Sequence, residues 1–363
     1  MTSPVNSQLA TRAAHGLRDR VLIECGASVP NVSSMVAPQH GGLKLTGRGA
    51  AKHARQLSLA AVDFPLVFDA EAYCEYDATP EQPFFLPTHQ LFPQTLSERL
   101  DDFRNLGASI AFTPTGHLSA EGEALEEAVQ TVNDLDRDDL ILSLPLDHSW
   151  LTSEVNFARL RSQLEECAHA CSISIAHPQD PLEEPNVGRR LRELARLSNA
   201  PYLDRVDLVG LDYVANGGPG STIGLSSRLR HGQSQLIQGM SYSSTDNRAS
   251  VLWPGLLRFV RPIFLEQQLY PGLEGPLCDC PFCDGRALTT FTNKKKSQQR
   301  ARDHNAWCLQ MLTRSVLEPG GSGSRREVWK GLVLTAIEAH ERLRVELNQP
   351  GFGTPVGLEH WVW

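Results

Sequence analysis

The stretch L-I-L-S-L-P-L-D at Leu140–Asp147 is a mainly apolar run that ends in a carboxylate. A short run of this kind, followed by a polar turn, predicts a strand over Leu140–Leu146 that is buried on both faces of a sheet. An acidic amphipathic helix is predicted before it, over Ala120–Leu135. A long helix is predicted after it, over Ser153–Ala170, with Ser153 as its N-cap. The stretch and its flanks therefore predict a helix–strand–helix unit.

The same alternation of apolar runs and helical segments extends over most of the chain. Together with Leu140–Leu146, eight runs are predicted as strands, and most are separated by a helix. The other seven are Val21–Cys25, Phe64–Phe68, Ser109–Phe112, Ser172–Ala176, Val206–Leu211, Thr222–Leu225 and Met240–Ser244. Such strands, joined by right-handed crossovers, close into a (β/α)8 barrel, so the predicted fold class is an α/β TIM barrel. A doubly wound open sheet is the alternative, but no G-x-G-x-x-G or P-loop sequence follows a strand.

Further helices are predicted between these strands. Leu96–Leu106 is preceded by Thr95, which has the spacing of a capping box with Glu98. Val187–Leu197 and Ser226–Gln238 are also predicted as helices. These segments supply the outer layer that a parallel barrel requires.

Length and composition set further bounds. With 363 residues, of which 41% are hydrophobic and 21% charged, the chain has the profile of a globular enzyme with a large core. No apolar run approaches the length of a membrane span, and the first 20 residues contain no signal-peptide core, so no membrane association is expected. Eight cysteines, three of them clustered, fit a reducing compartment, so a cytoplasmic location is expected. The net charge of −8 argues against a nucleic-acid coat protein but leaves room for a local basic patch.

A second informative stretch, C-D-C-P-F-C, begins at Cys278 and is followed by D-H-N-A-W around His304. The thiols of Cys278, Cys280 and Cys283 are too close in sequence to pair as disulfides without strain, and as thiolates they suit a tetrahedral zinc site. His304 is the predicted fourth ligand, because the residues after it have the pattern of a docked helix. Three sulfurs and one imidazole leave no open coordination position, so the predicted zinc is structural. The alternative is a set of ordinary buried or redox thiols.

These predictions divide the chain into four segments. Residues 1–20 form an N-terminal segment, 21–255 the barrel, 256–315 a zinc-binding subdomain, and 316–363 a C-terminal helical segment that packs on the barrel. The last segment contains the amphipathic pattern of Arg325–Leu347, which follows a Gly/Ser-rich break.

A barrel of this type places its chemistry at the carboxyl ends of its strands. The residues predicted at those ends are Asp69, Asp147, His177 with Gln179, Gly210 and Asp246. Three carboxylates over one barrel mouth suit acid–base or nucleophilic catalysis. The alternative for any single one of them is a role as a loop cap.

The strongest basic run in the chain lies between the cysteines and His304. It consists of Lys294, Lys295, Lys296, Arg300 and Arg302. Attached to a zinc module, such a run predicts contacts with the phosphates of a nucleic acid, where each neutralised phosphate releases counterions. A solvated surface loop is the alternative interpretation.

Taken together, the motifs between about residues 20 and 315 resemble the tRNA-guanine transglycosylase superfamily. The zinc motif, with its H-N pair at His304-Asn305, is similar to an insertion that this family carries on a (β/α)8 barrel. L-P-L-D-H at Leu144–His148 looks like the family's strand that ends in a base-recognising aspartate.

Three further segments resemble the same family. F-D-A-E-A-Y-C-E-Y at Phe68–Tyr76 is similar to a segment whose aspartate is the general acid/base. S-S-T-D at Ser243–Asp246 looks like the final barrel strand with the nucleophilic aspartate. V-D-L-V-G-L-D at Val206–Asp212 is similar to a strand end whose backbone amides face the base.

The resemblance implies a pentosyltransferase that exchanges guanine for a 7-deazaguanine base such as preQ0, through a covalent aspartyl-glycosyl intermediate. It implies Asp246 as the nucleophile, Asp69 as the proton carrier, and Asp147 as the acceptor for the purine N1–H and 2-amino group. Since the reacting C1′ lies in a stacked strand, the target nucleotide is expected to be single-stranded or flipped out. The remaining base contacts implied are His177 or Gln179 with O6, the Gly210 and Leu211 amides with the 7-substituent, and Tyr73 by stacking, with packing as its alternative.

The sequence also departs from the family pattern. Ala70-Glu71 replaces small residues after the first aspartate, A-H-P-Q at Ala176–Gln179 replaces V-Q-G-G, and Asn247-Arg248 replaces the V-x-P-T-R of tRNA-acting members. This pattern is more similar to the branch that modifies DNA, so the expected substrate is DNA, with tRNA as the alternative.

Two other functions stay open at this point. A non-catalytic, partner-binding member of the family is one, because Glu71 would crowd the pocket; base transfer to a small sugar phosphate is the other. The resemblance further implies a homodimer, and a helper protein that opens DNA is conceivable.

Overall fold

Eight short segments between Arg20 and Gly224 form parallel strands, and each pairs with the next until the last pairs with the first. They are β1 (Arg20–Cys25), β2 (Leu43–Thr46), β3 (Leu66–Asp69), β4 (Ile110–Phe112), β5 (Leu140–Asp147), β6 (Ala170–Ala176), β7 (Tyr202–Val206) and β8 (Gly220–Gly224). The closing pair runs from Arg20 opposite Gly220 to Glu24 opposite Gly224. Helices lie between the strands, so the predicted TIM barrel is confirmed.

This computed structural model describes residues 16–26, 29–47, 49–87, 94–184, 186–235, 237, 248–320 and 323–361. They form two compact units. The barrel unit contains the described residues of Met1–Ala27, Ala37–Gly224 and Leu229–Ser241, and the second unit those of Ser28–Val36, Leu225–Arg228 and Tyr242–Trp363. The predicted segments 256–315 and 316–363 thus lie in one unit, whereas the packing of the latter on the barrel stays a prediction.

Helices of the barrel unit follow most strands. They are α2 (Ala50–Leu59), α3 (Leu96–Asn105), α4 (Ala124–Asn133), α5 (Ser149–Thr152), α6 (Glu154–Glu166), α7 (Val187–Leu194) and α8 (Val209–Ala215), while α1 (Val29–Ser33) belongs to the second unit. The capping box before α3 is confirmed, because the amide of Glu98 donates to Thr95 Oγ1 (3.3 Å) and the amide of Thr95 donates to Glu98 Oε2 (2.8 Å). The predicted N-cap of α6 is confirmed as well.

The structure corrects two strands and one helix of the sequence prediction. β2 was not predicted, since it is only four residues long, contains Lys44 and lies between glycines. The strand predicted over Val206–Leu211 is wrong: the strand ends at Val206, and the side chain of Asp207 accepts the amide of Val209 (3.1 Å) at the first turn of α8. The predicted strand Met240–Ser244 lies outside the described residues.

The helix predicted over Ser226–Gln238 is wrong for its first part. There the chain makes a single 3-10 turn over Ser227–Leu229 and then a non-helical segment through Ser234. Gly232 in this segment lies against β6, where its amide donates to the carbonyl of Ile175 (2.9 Å). A Cβ at Gly232 would come within 2.4 Å of the backbone of β6, so this close approach requires glycine.

The barrel interior has an apolar layer and, toward the carboxyl ends of the strands, a charged one. On three strands an apolar residue precedes a charged residue by two positions, and residues two apart point to the same face. The pairs are Leu22 and Glu24 on β1, Val67 and Asp69 on β3, and Tyr202 and Asp204 on β7. The three apolar members belong to one buried cluster with Ile110 and Phe112. This cluster therefore closes the barrel beneath the charged residues.

The second unit contains a two-stranded antiparallel sheet and helices. Its elements after the barrel are β9 (Val251–Trp253), β10 (Arg258–Val260), α9 (Pro262–Phe264), α10 (Lys295–Leu317), α11 (Arg325–Glu346) and α12 (Val356–His360). Its core includes Val251, Leu265, Phe291 and two of the clustered cysteines, Cys280 and Cys283. Among the described residues, no helix is both long enough and apolar enough to traverse a lipid bilayer.

Candidate active site and metal centre

The charged layer of the barrel consists of Glu24, Lys44, Asp69, Asp204 and Arg205. Lys44 lies at its centre. Its ammonium group lies 2.7 Å from Asp69 Oδ2, 2.5 Å from Asp204 Oδ2 and 3.8 Å from Glu24 Oε2. The side chain is fully buried, and burial by itself lowers the pKa of a lysine, but the charges of Asp204, Asp69 and Glu24 outweigh burial and raise the pKa of Lys44. Lys44 is therefore a permanent cation among three carboxyl groups.

Asp69, the last residue of β3, is held as a carboxylate. Its Oδ2 accepts hydrogen bonds from Lys44 and from the hydroxyl of Tyr73 (2.8 Å), and its Oδ1 accepts the amide of Glu71 (2.7 Å). Burial raises the pKa of Asp69, but the charges of Lys44 and Arg205 and these hydrogen bonds more than compensate, so its pKa lies below the ordinary value. Asp69 remains 9% exposed, at the mouth end of the barrel.

Arg205 enters the charged layer through a β-bulge. The pairing of β7 with β8 shifts register between Leu203 and Val206, and Arg205 has a left-handed backbone with φ of 55°. A bulge lets two successive side chains point to the same side of a sheet. Consequently both Asp204 and Arg205 reach the charged layer, and the strained backbone of a non-glycine residue is maintained by its contacts.

These contacts tie Arg205 to three other residues. Its guanidinium donates to the hydroxyl of Tyr73, lies 2.9 Å from Glu71 Oε1 and 3.6 Å from Glu24 Oε1. Arg205 and Tyr73 are both buried, so the ring of Tyr73 packs inside the protein and its predicted stacking role is wrong. Tyr73 instead connects Arg205 to Asp69.

Glu24 is the carboxyl group of the charged layer with the fewest hydrogen-bond donors around it. It is 0% exposed, and neither of its carboxyl oxygens has a hydrogen-bond partner among the described residues. Burial, the largest effect, raises the pKa of Glu24 to about 8; Lys44 and Arg205 oppose this effect, while Asp204 and Asp69 add to it. At neutral pH the group carries a proton, unlike Asp69.

Four residues of the charged layer were not predicted as site residues from the sequence: Glu24, Lys44, Asp204 and Arg205. A usable signal was present, because each is a charged residue within a short apolar strand pattern, where charges are rarely buried unless paired. Their partners lie on other strands; Lys44 and Asp204, for example, are 160 positions apart. No local pattern identifies such a pair.

Asp147 and His177 are at the carboxyl ends of β5 and β6, as predicted. Asp147 is half-buried; its Oδ1 accepts the amide of Ser149 (2.9 Å) and lies 3.7 Å from Nδ1 of His148. The rings of His148 and His177 meet edge to face at 5.1 Å. The two predicted residues are thus joined by His148, which was not predicted.

The ring of His177 is fixed on both sides. Its Nδ1 accepts the amide of Gln179 (3.1 Å), and its Nε2 lies 3.6 Å from Glu184 Oε1. Because an accepting Nδ1 has no hydrogen, the neutral ring carries its hydrogen on Nε2. Gln179 itself is exposed and contributes its backbone, not its side chain, to this arrangement.

Gly210 and Leu211 do not present free amides at the barrel mouth. Both lie in α8, where their amides donate to the carbonyls of Asp207 (3.1 Å) and Leu208 (3.0 Å). A Cβ at Gly210 would approach Ser221 Oγ within 2.7 Å, so this glycine serves close packing of α8 on β8. The predicted contact of these amides with a base substituent is therefore wrong.

Asp246, the predicted nucleophile, lies outside the described residues. Its position relative to Asp69 consequently stays a prediction, as does the pairing of the two carboxylates over one sugar carbon.

A second group of ionisable residues encloses a small cavity beyond β6 and β7. It is lined by Asp180, Asp207, Arg205, Arg230 and His231, and its volume of about 10 Å³ corresponds to one water molecule. Burial, with the charge of Asp207, raises the pKa of Asp180 to about 6. Burial also lowers the pKa of His231 to about 4. Since Arg205 also contacts Glu24 and Tyr73, it joins this cavity to the charged layer.

The second unit brings Cys278, Cys280, Cys283 and His304 together, as predicted, in a cluster that could hold a metal ion. The three sulfurs lie 3.5, 3.4 and 3.4 Å from His304 Nδ1, and all four donor atoms are within 4.8 Å of one another. A tetrahedral zinc ion with its usual bond lengths to sulfur and nitrogen separates these donors by about 3.6 Å. The arrangement therefore suits a metal ion of this size with no open position.

Backbone contacts orient this cluster. Nε2 of His304 donates to the carbonyl of Leu252 (2.7 Å), which leaves the lone pair of Nδ1 directed at the sulfurs. Next to it, Asn305 accepts the amide of Leu252 (2.8 Å) and donates to the carbonyl of Ser250 (2.9 Å). The H-N pair therefore anchors the middle of α10 to β9 and to Ser250, and it directs the imidazole of His304 toward the sulfurs.

The basic run occupies the start of α10. Lys294 is its N-cap residue, and Lys295 and Lys296 are exposed in its first turn. Arg300, by contrast, donates to the carbonyl of Thr290 (3.2 Å) and lies over the ring of Phe291, and Arg302 lies 3.4 Å from Gln299 Oε1. The three lysines of this run are exposed to solvent, whereas Arg300 and Arg302 are half-buried.

No protein-family model matches this sequence, and no curated protein matches it. Among solved structures, the chain is similar to the crystal structure of 2,3-dimethylmalate lyase, a member of the PEP mutase/isocitrate lyase superfamily. The TM-score is 0.36 at 13% sequence identity, and the match covers 61% of this chain and 81% of that chain. At these values the similarity supports no inference about activity.

Proposed function

We propose that this protein is a base-exchanging transglycosylase, which replaces guanine in DNA by a 7-deazaguanine base such as preQ0. The observation that supports this most directly is Asp69: a buried carboxylate at the carboxyl end of a barrel strand, kept ionised by Lys44 and Tyr73. The Cys3His cluster, at the spacing that resembles the transglycosylase superfamily, is the second support.

In the proposed reaction, Asp246 attacks C1′ and forms a covalent glycosyl intermediate while the purine departs. Asp69 gives a proton to the leaving base and takes one from the incoming base. Asp147 accepts the purine N1–H and 2-amino group; its half-buried carboxylate suits this role because its Oδ2 accepts no hydrogen bond from the residues that the structure describes. His177 suits the role of donor to O6, because its neutral ring carries hydrogen on Nε2.

The contacts of Glu71 favour catalysis over the non-catalytic alternative. Glu71 has a left-handed backbone with φ of 51°, and its carboxylate is engaged by Arg205. Its amide meanwhile donates to Asp69. In this conformation Glu71 supports the proposed proton carrier, and its side chain is directed to Arg205.

We further propose zinc as the metal ion of the Cys3His cluster, with a structural role. The exposed Lys294, Lys295 and Lys296 are the proposed contacts to the phosphates of DNA, with Arg300 and Arg302 supporting the start of the helix. A homodimer, and a helper protein that opens the DNA, are part of the same proposal.

Incorporation of labelled preQ0 by the purified chain, with DNA and with tRNA in parallel, tests this function. We expect label in DNA, and a loss of about 10²- to 10⁴-fold in rate for Asp69→Asn. Asp136→Asn is the matched control, because Asp136 is exposed and precedes β5 at the opposite end of the barrel. Label in tRNA alone would establish the alternative substrate, and label in neither would reject the proposal.

The nucleophile needs its own experiment. Wild-type protein mixed with DNA and denatured during turnover is expected to carry a covalent nucleotide on the peptide that contains Asp246. Asp246→Asn is expected to form no such adduct. An adduct that persists in this variant, or that maps to Asp69, would assign the nucleophile elsewhere.

A further inference from the structure

We infer that Glu24 stores a proton in the barrel interior and exchanges it with Asp69 through Lys44. The charged layer offers too few hydrogen-bond donors for all of its carboxyl groups. Lys44 donates to Asp69 and Asp204 at 2.7 and 2.5 Å, whereas Glu24 lies 3.8 Å away, beyond hydrogen-bond distance. The catalytic part of this inference rests on the proposed function; the location of the proton does not.

The second cation does not compensate Glu24 either. Arg205 donates to the hydroxyl of Tyr73 and to Glu71 at 2.9 Å, and its distance to Glu24 is 3.6 Å. An ionised carboxylate that is fully buried without a hydrogen bond is very costly, and such a group takes up a proton instead. The geometry thus makes Glu24 the neutral member of the layer.

The other ionisable groups near Glu24 either disfavour its ionisation or already contact closer partners. Those that interact with it are Lys44 on β2, Asp69 on β3, Tyr73 in the turn after β3, and Asp204 and Arg205 on β7. Asp69 and Asp204 are anions that disfavour a further negative charge, and the two cations are shared with closer acceptors.

Asp69 alone is poorly suited to carry a proton at rest, because three donors hold it as a carboxylate. A relay resolves this difficulty. In this relay the Glu24 carboxyl group first closes its 3.8 Å gap to Lys44. Lys44 then gives one of its protons to Asp69 as it takes the carboxyl proton of Glu24, so that Glu24 becomes a carboxylate hydrogen-bonded to Lys44 and Asp69 becomes the acid. Charge is conserved, Lys44 remains an ammonium, and no other reactant is needed. Asp69 then protonates the leaving purine, and the proton from the incoming base returns along the same residues.

Glu24 therefore acts through Asp69 and is a positioning residue for its proton. Infrared spectroscopy of the full chain tests the proton's location without any activity assay. We expect the carbonyl band of a protonated carboxyl group at pH 7, which is absent in Glu24→Gln and retained in Glu127→Gln, a matched substitution at an exposed position. The difference between wild type and Glu24→Gln also separates this band from that of any other protonated carboxyl group.

Coupling to Asp69 is tested in the same way. The Glu24 band is expected to disappear as pH rises through about 8 in the wild type. In Asp69→Asn the midpoint is expected to fall by about one pH unit, since a neighbouring negative charge is removed and Lys44 gains a free hydrogen. If the band is absent at pH 7, or if the midpoint does not move in Asp69→Asn, the inference is overturned.

The catalytic part predicts that Glu24→Gln lowers kcat for base exchange about 100-fold with little change in KM. Lys44→Arg is expected to show the same loss, because a guanidinium keeps the charge but does not release its proton. Thermal melts confirm that each variant is folded. Unchanged kcat in folded Glu24→Gln would overturn the relay. A wild type without base exchange would reject the proposed function instead, and the infrared result would still decide where the proton lies.

Discussion

At the scale of single residues, the barrel interior is governed by a shortage of positive charge. Lys44 and Arg205 face the carboxyl groups of Glu24, Asp69 and Asp204. Asp69 and Asp204 make the short contacts to Lys44. Glu24 lacks such a contact and therefore keeps its proton. Glu24 and Asp69 therefore differ in ionisation because of where the two cations point.

The first prediction concerns the stability of Glu24→Gln as a function of pH. The pKa of Glu24 is about 8 in the folded chain against 4.5 as the ordinary value. The unfolded chain therefore releases this proton first, and wild-type stability decreases as pH rises from about 4.5 through about 8. Glutamine cannot ionise, so Glu24→Gln lacks this part of the decrease.

Urea denaturation at pH 5, 7 and 9 is the measurement. The stability difference between Glu24→Gln and wild type is expected to move in favour of the variant as pH rises, while Glu127→Gln follows the wild type. Parallel curves for wild type and Glu24→Gln would contradict a protonated Glu24.

A second prediction follows from Lys44. Lys44→Met leaves Asp69 and Asp204 buried without their cation, and breaking a buried pair from one side costs about 3–5 kcal/mol. Lys52→Met, at an exposed position of α2, is the matched control and is expected to change stability by less than about 0.5 kcal/mol. Equal effects of the two substitutions on the urea midpoint would show that the ion pairs do not form.

At the scale of elements, caps and bulges define the ends of helices and the direction of side chains. The amide of Glu327 donates to Ser324 Oγ (3.3 Å), and Glu327 Oε2 accepts the amide of Ser324 (2.7 Å). This capping box begins α11 at the residue after the Gly/Ser-rich break. The bulge in β7 works differently, because it changes the face to which Arg205 points without ending the strand.

The third prediction tests this cap. Ser324→Ala removes the acceptor for the amide of Glu327 and is expected to cost about 1 kcal/mol of stability. Thr335→Ala, in the exposed middle of the same helix, is the control and is expected to be neutral or slightly stabilising, since alanine has the higher helix propensity. Thermal melts of both variants decide between a capping effect and a general effect of alanine.

At the scale of the whole molecule, the two units differ in what holds them together. The barrel unit is closed by strand pairing from β1 to β8. Among its described residues, the second unit has one two-stranded sheet and a core that includes Cys280 and Cys283. A metal ion bound at the Cys3His cluster would link the segment Cys278–Cys283 to α10. Binding of such an ion contributes directly to folding free energy.

The fourth prediction is that the purified chain contains one zinc ion, and that a chelator lowers the melting temperature of the second unit. Cys280→Ser is expected to lose the metal and be destabilised similarly. Cys308→Ala is the matched control, because its sulfur lies 3.7 Å from His304 Nδ1 but is not among the four ligands. Metal content measured by mass spectrometry should therefore be near one ion in Cys308→Ala, and a retained ion in Cys280→Ser would contradict the cluster.

The barrel was predictable although one of its strands, β2, was missed and another, β7, was misplaced. β5 and β6 were predicted correctly because long apolar runs identify strands that are buried on both faces. β2 and β7 were not, because each contains charged residues that are stable inside the barrel only through partners on other strands. The apolar pattern of Val206–Leu211 was attributed to a strand, whereas Asp207 caps the turn into α8 there.

For the candidate site, the sequence located Asp69, Asp147 and His177 by a rule of the fold: chemistry lies at carboxyl ends of strands. It misassigned Tyr73 and the amides of Gly210 and Leu211, because burial and internal hydrogen bonds are not visible in a motif. The role of Asp246 stays a prediction.

By itself, the sequence determined the fold class and the Cys3His cluster that could hold a metal ion, because hydrophobic periodicity and the short C-x-C-x-x-C spacing are local properties of the chain. Only the tertiary structure decided which charges meet inside the barrel. Glu24, Lys44, Asp69, Asp204 and Arg205 come from four strands, and one register shift in β7 determines whether Arg205 joins them. Closure of the barrel, together with this bulge, supplies distances that no pattern along the chain contains.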